Sequence, residues 1–151
     1  MTIFQQLTAQ YQSLSDFLQQ FRQERHQHPE LSNEEFETTA KIREILEQHQ
    51  ITVLDLPLKT GLVAEIKGAQ PGKTLVLRSD IDALPIEEES GVPFSSLKKG
   101  VMHACGHDFH MSAALGAAIL LKQHQQALKG TVRVLFQAAE ETGLGALDVI
   151  H

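Results

Sequence analysis

The chain has 151 residues, enough for one domain with a buried core, and 42% of them are apolar. Thirteen Lys and Arg against nineteen Asp and Glu leave a formal charge of −6, which disfavours a nucleic-acid backbone as partner. A single cysteine excludes an internal disulfide and points to a reducing compartment, and the longest apolar run, residues 113–121, is too short to span a membrane.

Residues 1–28 carry Phe4, Leu7, Tyr11, Leu14, Phe17, Leu18 and Phe21 at helical spacing, which predicts an amphipathic helix stopped by Pro29. No basic stretch leads into an apolar core there, so no secretory signal is read. Ser32 with Glu35 three residues on has the capping-box offset and predicts a second helix to about residue 49. Residues 51–56 and 62–67 read as strands, the first ended by Pro57, and 68–72 as a turn. Leu75-Val76-Leu77 reads as a buried strand continuing to Arg78, with pairing over by Pro85. Asp80 and Asp82 then fall at the strand's C-terminal end on one side, where open α/β sheets hold their ligands. Arg78 is expected to form a structural ion pair with one of them.

Residues 87–100 read as a polar loop in which Glu87, Glu88 and Glu89 form a solvated face. A helix is expected over about 107–125, rich in alanine, with Gly116 allowing close packing on a sheet. A buried strand over 132–136 follows Gly130 and runs into Gln137-Ala138-Ala139-Glu140-Glu141-Thr142-Gly143. Alternating helices and strands predict an α/β fold, a largely parallel or mixed sheet flanked by helices.

The densest chemistry lies in Met102-His103-Ala104-Cys105-Gly106-His107-Asp108-Phe109-His110. Cys105 and His107 stand two apart, so a thiolate and an imidazole can converge on a borderline-soft divalent metal such as zinc. Gly106 between them permits a close backbone approach or a positive φ. Asp108 is either a further ligand or the carboxylate that fixes a histidine tautomer. The blander alternative is a helix N-terminus where Asp108 caps and the histidines face water. Glu140 and Glu141 would diverge on a strand, but at a strand-to-loop junction one can ligate metal while the other handles protons. Three carboxylate or thiol–imidazole clusters at strand ends of one small chain argue against coincidence.

These motifs resemble those of the N-acyl amino acid amidohydrolases, a branch of the two-metal aminoacylase and carboxypeptidase superfamily. The likeness rests on Arg78-Ser79-Asp80-Ile81-Asp82-Ala83-Leu84-Pro85, His103-Ala104-Cys105-Gly106-His107-Asp108 and Phe136-Gln137-Ala138-Ala139-Glu140-Glu141. Arg25-His26-Gln27-His28-Pro29-Glu30-Leu31 and Thr60-Gly61-Leu62-Val63 are similar to the family's two earlier motifs, and Ala138 stands where the family usually has proline. The resemblance implies Cys105 as a thiolate bridging two divalent ions, His107 and Glu141 as metal ligands, and Glu140 as the general base. It implies Asp80 or Asp82 as an auxiliary carboxylate, the choice being open. The ions expected are Zn or Mn, with Co and Ni as alternatives, and the substrate a small N-acyl amino acid. Neither nucleic acid nor membrane is expected as a partner, the location expected is cytoplasmic, and a homodimer of the full-length form is admitted. Family members continue far beyond position 151 with two more histidine ligands and a lid domain. Residues 1–151 are therefore expected to be the N-terminal part of the catalytic domain, inactive alone. A metal-binding fragment without catalysis and a structural zinc module are the rival expectations.

Overall fold

In the structure, a computed structural model describing residues 1–151, α1 runs over Ile3–Gln27. The Thr2 hydroxyl accepts the Gln5 N–H while the Gln5 side chain accepts the Thr2 N–H, a reciprocal cap. The apolar stripe is buried only in the second half, at Leu18 and Phe21, whereas Phe4 and Tyr11 are exposed. Ile3 and Leu7 border an open apolar groove with Leu77, Leu120, Leu121 and Leu128, so this end of the stripe meets no solid partner.

Helix α2 spans Phe36–Gln48, and its N-terminus departs from the expected capping box. Glu35 occupies the cap position without a side-chain cap bond. The Glu30 carboxylate accepts the free N–H groups of Glu37 and Thr38 instead, at 3.1 and 2.6 Å. Ser32 and Glu35 are drawn away because stronger partners lie in the interior, described below.

Strand β1 is short, Thr52–Val53, followed by β2 over Leu62–Lys67, β3 over Gln70–Asp80, α3 over His107–Gln123, β4 over Lys129–Gln137 and α4 over Gly145–Ile150. Short 3-10 turns occupy Gln125–Ala127 and Glu140–Thr142. The sheet order is β1-β2-β4-β3, antiparallel except for β3 with β4, so the sheet is mixed. That parallel pair with α3 between its strands is a βαβ unit.

Register explains the core. Leu62 pairs with Phe136, Ala64 with Val134 and Ile66 with Val132, and all six are buried on one face. The opposite face carries the Glu65–Arg133 cross-strand ion pair at 2.9 Å. Phe21, Ile42, Ile45, Leu46, Met111, Leu115 and Ile119 from the three long helices complete the core. Gly116 serves a helix contact rather than the expected sheet contact: a Cβ there would lie 2.7 Å from Leu18 Cδ1 of α1. Strand β3 is not the buried strand its apolar run suggested, since Leu75 and Val76 are 59% and 55% exposed. It lies at the sheet edge, paired only with β4. No helix is long and apolar enough to cross a membrane.

Candidate metal centre

The C-terminal ends of the parallel β3–β4 pair and the start of α3 converge on one side chain, His107. Gly106 precedes α3 with φ 99°, open to glycine at little steric cost, and nothing lies within 4 Å of a Cβ placed there. The segment turns at Gly106 into α3, and Cys105 and His107 converge. Their ligand atoms and a Glu141 oxygen all lie within 4.8 Å of one another.

The orientation of His107 follows from its hydrogen bonds. Nδ1 lies 2.8 Å from the Asp82 carbonyl oxygen and 3.1 Å from Asp82 Oδ1. A carbonyl oxygen only accepts, so Nδ1 carries the proton and Nε2 is the atom turned to the site. Around Nε2 stand Asp80 Oδ2 at 3.5 Å, Glu140 Oε2 at 3.5 Å and Glu141 Oε1 at 3.6 Å. Burial works against the charged ring, but the Asp82 bond and the Asp80 charge outweigh it and push the His107 pKa up to about 9. The Cys105 thiol is pushed up by its hydrogen bond to Glu141 first, then by burial and by the neighbouring carboxylates.

The two aspartates differ. Asp82 is buried, and its Oδ2 accepts the Ser32 hydroxyl at 2.7 Å and the Glu141 N–H at 3.0 Å. Burial raises its pKa, yet the bonds from His107, Glu141 and Ser32 win and hold it at about 2. Asp80 Oδ1 faces His110 Nδ1 at 2.6 Å, and Arg78 approaches Oδ2 at 3.6 Å while donating to Gln137 at 2.7 Å. The Arg78 reading as a structural partner therefore agrees with its contacts. His110 joins Asp80 and His107 in a second cluster of donors, and His107 with Asp82 and Glu140 forms a third. His110 was not among the residues assigned to the site, although its three-residue spacing from His107 puts both on one face of a helix.

Asp108 belongs to none of these donor clusters and makes no side-chain cap bond to α3. It is buried and accepts from Arg22 Nε at 2.7 Å, with His26 Nδ1 at 2.9 Å. His26 Nε2 in turn lies 2.9 Å from Glu88 Oε2. Glu88 also accepts the Ser90 hydroxyl and, at 2.6 Å, the Ser96 N–H. Burial opposes its charge, but these bonds hold it at about 2. The solvated reading of the triple-glutamate run therefore fails at Glu88, because α1 delivers a histidine to it. His103 is buried with both ring nitrogens unpartnered, and burial lowers its pKa to about 4.

A polarisable thiol, an imidazole nitrogen fixed by a carboxylate behind it, and several carboxylate oxygens suit one or two divalent cations. The opening of the turn at Ala139, φ 52° and ψ 38°, brings Glu140 and Glu141 to the same side although they are neighbours in sequence.

A family model described as Peptidase family M20/M25/M40 matches residues 76–151, half of the chain. The chain belongs to this family. Within the M20/M25/M40 group it is similar to the N-acetyl-L-cysteine deacetylase of Bacillus subtilis (strain 168), 57% identical over 130 residues, which make up 86% of this chain and 31% of that protein. It is also similar to the N-acyl-L-amino acid amidohydrolase of Geobacillus stearothermophilus, 44% identical over 85% of this chain and 35% of that protein. A crystal structure of the Bacillus subtilis YXEP protein, described as a dinuclear metal binding peptidase from the M20 family, matches with a TM-score of 0.90. The identity is 52%, over 92% of this chain and 39% of that one. The M20/M25/M40 chain thus spans about a third of the length of the curated relatives it matches. The family resemblance drawn from the motifs is borne out.

Proposed function

We propose that this chain is the N-terminal part of the catalytic domain of a metal-dependent amidohydrolase that cleaves the amide bond of N-acyl amino acids. The observation that carries the reading is the Nε2 atom of His107, locked outward by Asp82 and ringed by three carboxylate oxygens at 3.5–3.6 Å. The names of the similar deacetylase and amidohydrolase support the substrate class. Cys105, His107 and Glu141 would hold the metal, two divalent ions if the site is dinuclear like that of the YXEP protein, and Zn or Mn suits this donor set. The single thiol fits a reducing cytoplasm. A lid domain, further histidine ligands and a dimer contact belong, in this reading, to the rest of the longer protein.

Bound divalent metal would polarise the scissile carbonyl and acidify a water. Glu140 takes that water's proton as it attacks the carbonyl carbon and returns it to the departing amine. Its side chain is partly exposed and accepts no hydrogen bond from the chain, so its lone pairs are free for that work. Asp82 holds Nδ1–H and so keeps Nε2 available. Asp80 stands as the second auxiliary carboxylate, steadying His110 and adding negative charge beside Nε2. A closed structural zinc site is poorly supported, because it calls for four Cys or His donors and this cluster is mostly carboxylate.

The test is a pair of substitutions in the full-length protein. Glu140→Gln should keep metal and lose nearly all kcat on N-acetyl and N-benzoyl amino acids, whereas Glu141→Gln should lose metal first. Equal metal depletion in both variants would sink the division of labour.

A further inference from the structure

Glu35 has no exposed surface, and no cation pairs with it. Burial raises its pKa first of all, and the charge of Asp82, of the same sign, adds to the rise. An acid in such a place is costly, and an apolar side chain would fill the space more cheaply. What Glu35 does hold is specific. Its Oε2 accepts the N–H of Ala139 at 2.7 Å across 104 residues of sequence, and its Oε1 accepts the Thr60 hydroxyl at 3.0 Å.

Ala139 is the residue in left-handed conformation that starts the turn carrying Glu140 and Glu141. Two residues on, the Glu141 N–H is accepted by Asp82. The backbone on either side of Glu140 is therefore pinned by two buried carboxylates from different elements, while the Glu140 side chain is left unbonded. The Glu35 end is itself anchored: its carbonyl accepts the Thr39 hydroxyl at 2.6 Å, and Thr39 Oγ1 accepts the Gly61 N–H at 2.9 Å.

We infer that Glu35 is a positioning residue for the Glu140–Glu141 pair, setting the turn that lets one carboxylate face the metal and the other the water. The inference rests on the amidohydrolase reading for those two roles, and on geometry alone for the turn.

The test compares Glu35→Ala, Glu35→Gln and a core control, Ile42→Ala, in the full-length protein. Ile42 is fully buried in α2 and belongs to the apolar core cluster, which contains none of the residues assigned to the site. Glu35→Ala should lower kcat and zinc affinity by about 10–100-fold, the usual effect of losing a group behind the ligands, with KM little changed. Glu35→Gln should recover most of this, since its amide oxygen can accept from Ala139 and its amide nitrogen can donate to Thr60. Ile42→Ala should lower Tm but leave kcat and zinc affinity of the folded fraction as in wild type. A Glu35→Ala protein that behaves like Ile42→Ala, or a Gln variant no better than Ala, overturns the inference. Should Glu35→Ala not fold, Thr60→Val removes one donor to the carboxylate: a several-fold loss of kcat supports the inference, and wild-type kcat and zinc affinity overturn it.

Amide hydrogen exchange separates this from the function itself. Without metal, Glu35→Ala or, should that not fold, Thr60→Val should speed exchange at 139–142 and leave 132–136 unchanged, while Glu35→Gln should stay close to wild type. Unchanged exchange at 139–142 overturns the positioning role. A wild-type protein that neither binds zinc nor hydrolyses N-acyl amino acids overturns only the amidohydrolase reading.

Discussion

At neutral pH and without metal, His107 is held as a cation by Asp82 and Asp80, so its proton occupies the place a divalent ion would take. Cys105 is likewise a thiol there, its pKa raised chiefly by Glu141. Metal binding near pH 7 must then release about two protons per site, one from each ligand. Titration calorimetry in buffers of differing ionisation enthalpy measures that number, and release near zero would remove both residues from the ligand set. Affinity should climb with pH, and less steeply above about 9, where His107 loses its proton unaided while the Cys105 thiol still holds its own. The Cys105–Glu141 bond gives a second, metal-free prediction. Glu141→Gln removes the strongest acceptor and a negative charge, so the Cys105 pKa should fall and its alkylation at pH 8 should speed up several-fold. An unchanged rate would show that Glu141 does not govern the thiol.

Among the elements, the link between α2 and β2 has little latitude. Gly61 adopts φ 77°, and a Cβ there would stand 2.7 Å from the Phe136 carbonyl oxygen. Gly61→Ala should therefore cost about 2 kcal/mol or more, from left-handed strain plus a backbone clash that no rotamer can relieve. Chemical denaturation measures it, and a loss below about 0.5 kcal/mol would mean the loop simply shifts. The same region shows where sequence reading stops. The strands at 62–67 and 132–136, the helix from His107 and the gathering of Asp82, Cys105, His107, Glu140 and Glu141 were legible, because apolar spacing and motif chemistry are local signals. Ser32 and Glu35 were read as a cap for the following helix, since their offset is right for one. Their true partners, Asp82 and Ala139, are 50 and 104 residues away, and no local pattern reports them. Leu75-Val76-Leu77 misled for a related reason: an apolar run shows strand character but not whether a neighbour covers it. Glu88 misled because only the folded chain sets His26 against it.

For the whole metal-free molecule, two buried histidines pull stability in opposite directions. His107, raised from 6.5 to about 9, stabilises fully below pH 6.5, and that contribution is lost as pH rises through 9. His103, lowered from 6.5 to about 4, stays neutral in the fold, so stability is lost as pH falls from 6.5 toward 4. Each is worth about 3.5 kcal/mol at most, at ~1.4 kcal/mol per unit of pKa. Urea midpoints of the metal-free chain should therefore peak near pH 6.5. Zinc should flatten the alkaline side, because bound metal replaces the His107 proton. A midpoint that rises steadily from pH 6.5 to 8.5 without metal would contradict the assignment. Residues 1–151 expressed alone should also self-associate through the edge of β3, where Leu75 and Val76 are exposed. Val76→Lys should raise the soluble yield, and no change in light scattering would exonerate that edge.

The polar links of this site join residues 59, 82, 86 and 104 positions apart in the chain. Each loop must close before its bond returns anything, so none of them can guide the early steps of folding. During synthesis the histidine and thiol emerge well before Glu141, and the turn that orients it forms only once β4 has docked. Capture of a metal ion by this cluster thus waits until β4 has docked, and a ribosome-stalled polypeptide ending before residue 137 should show no more affinity for zinc than a loose Cys-x-His peptide.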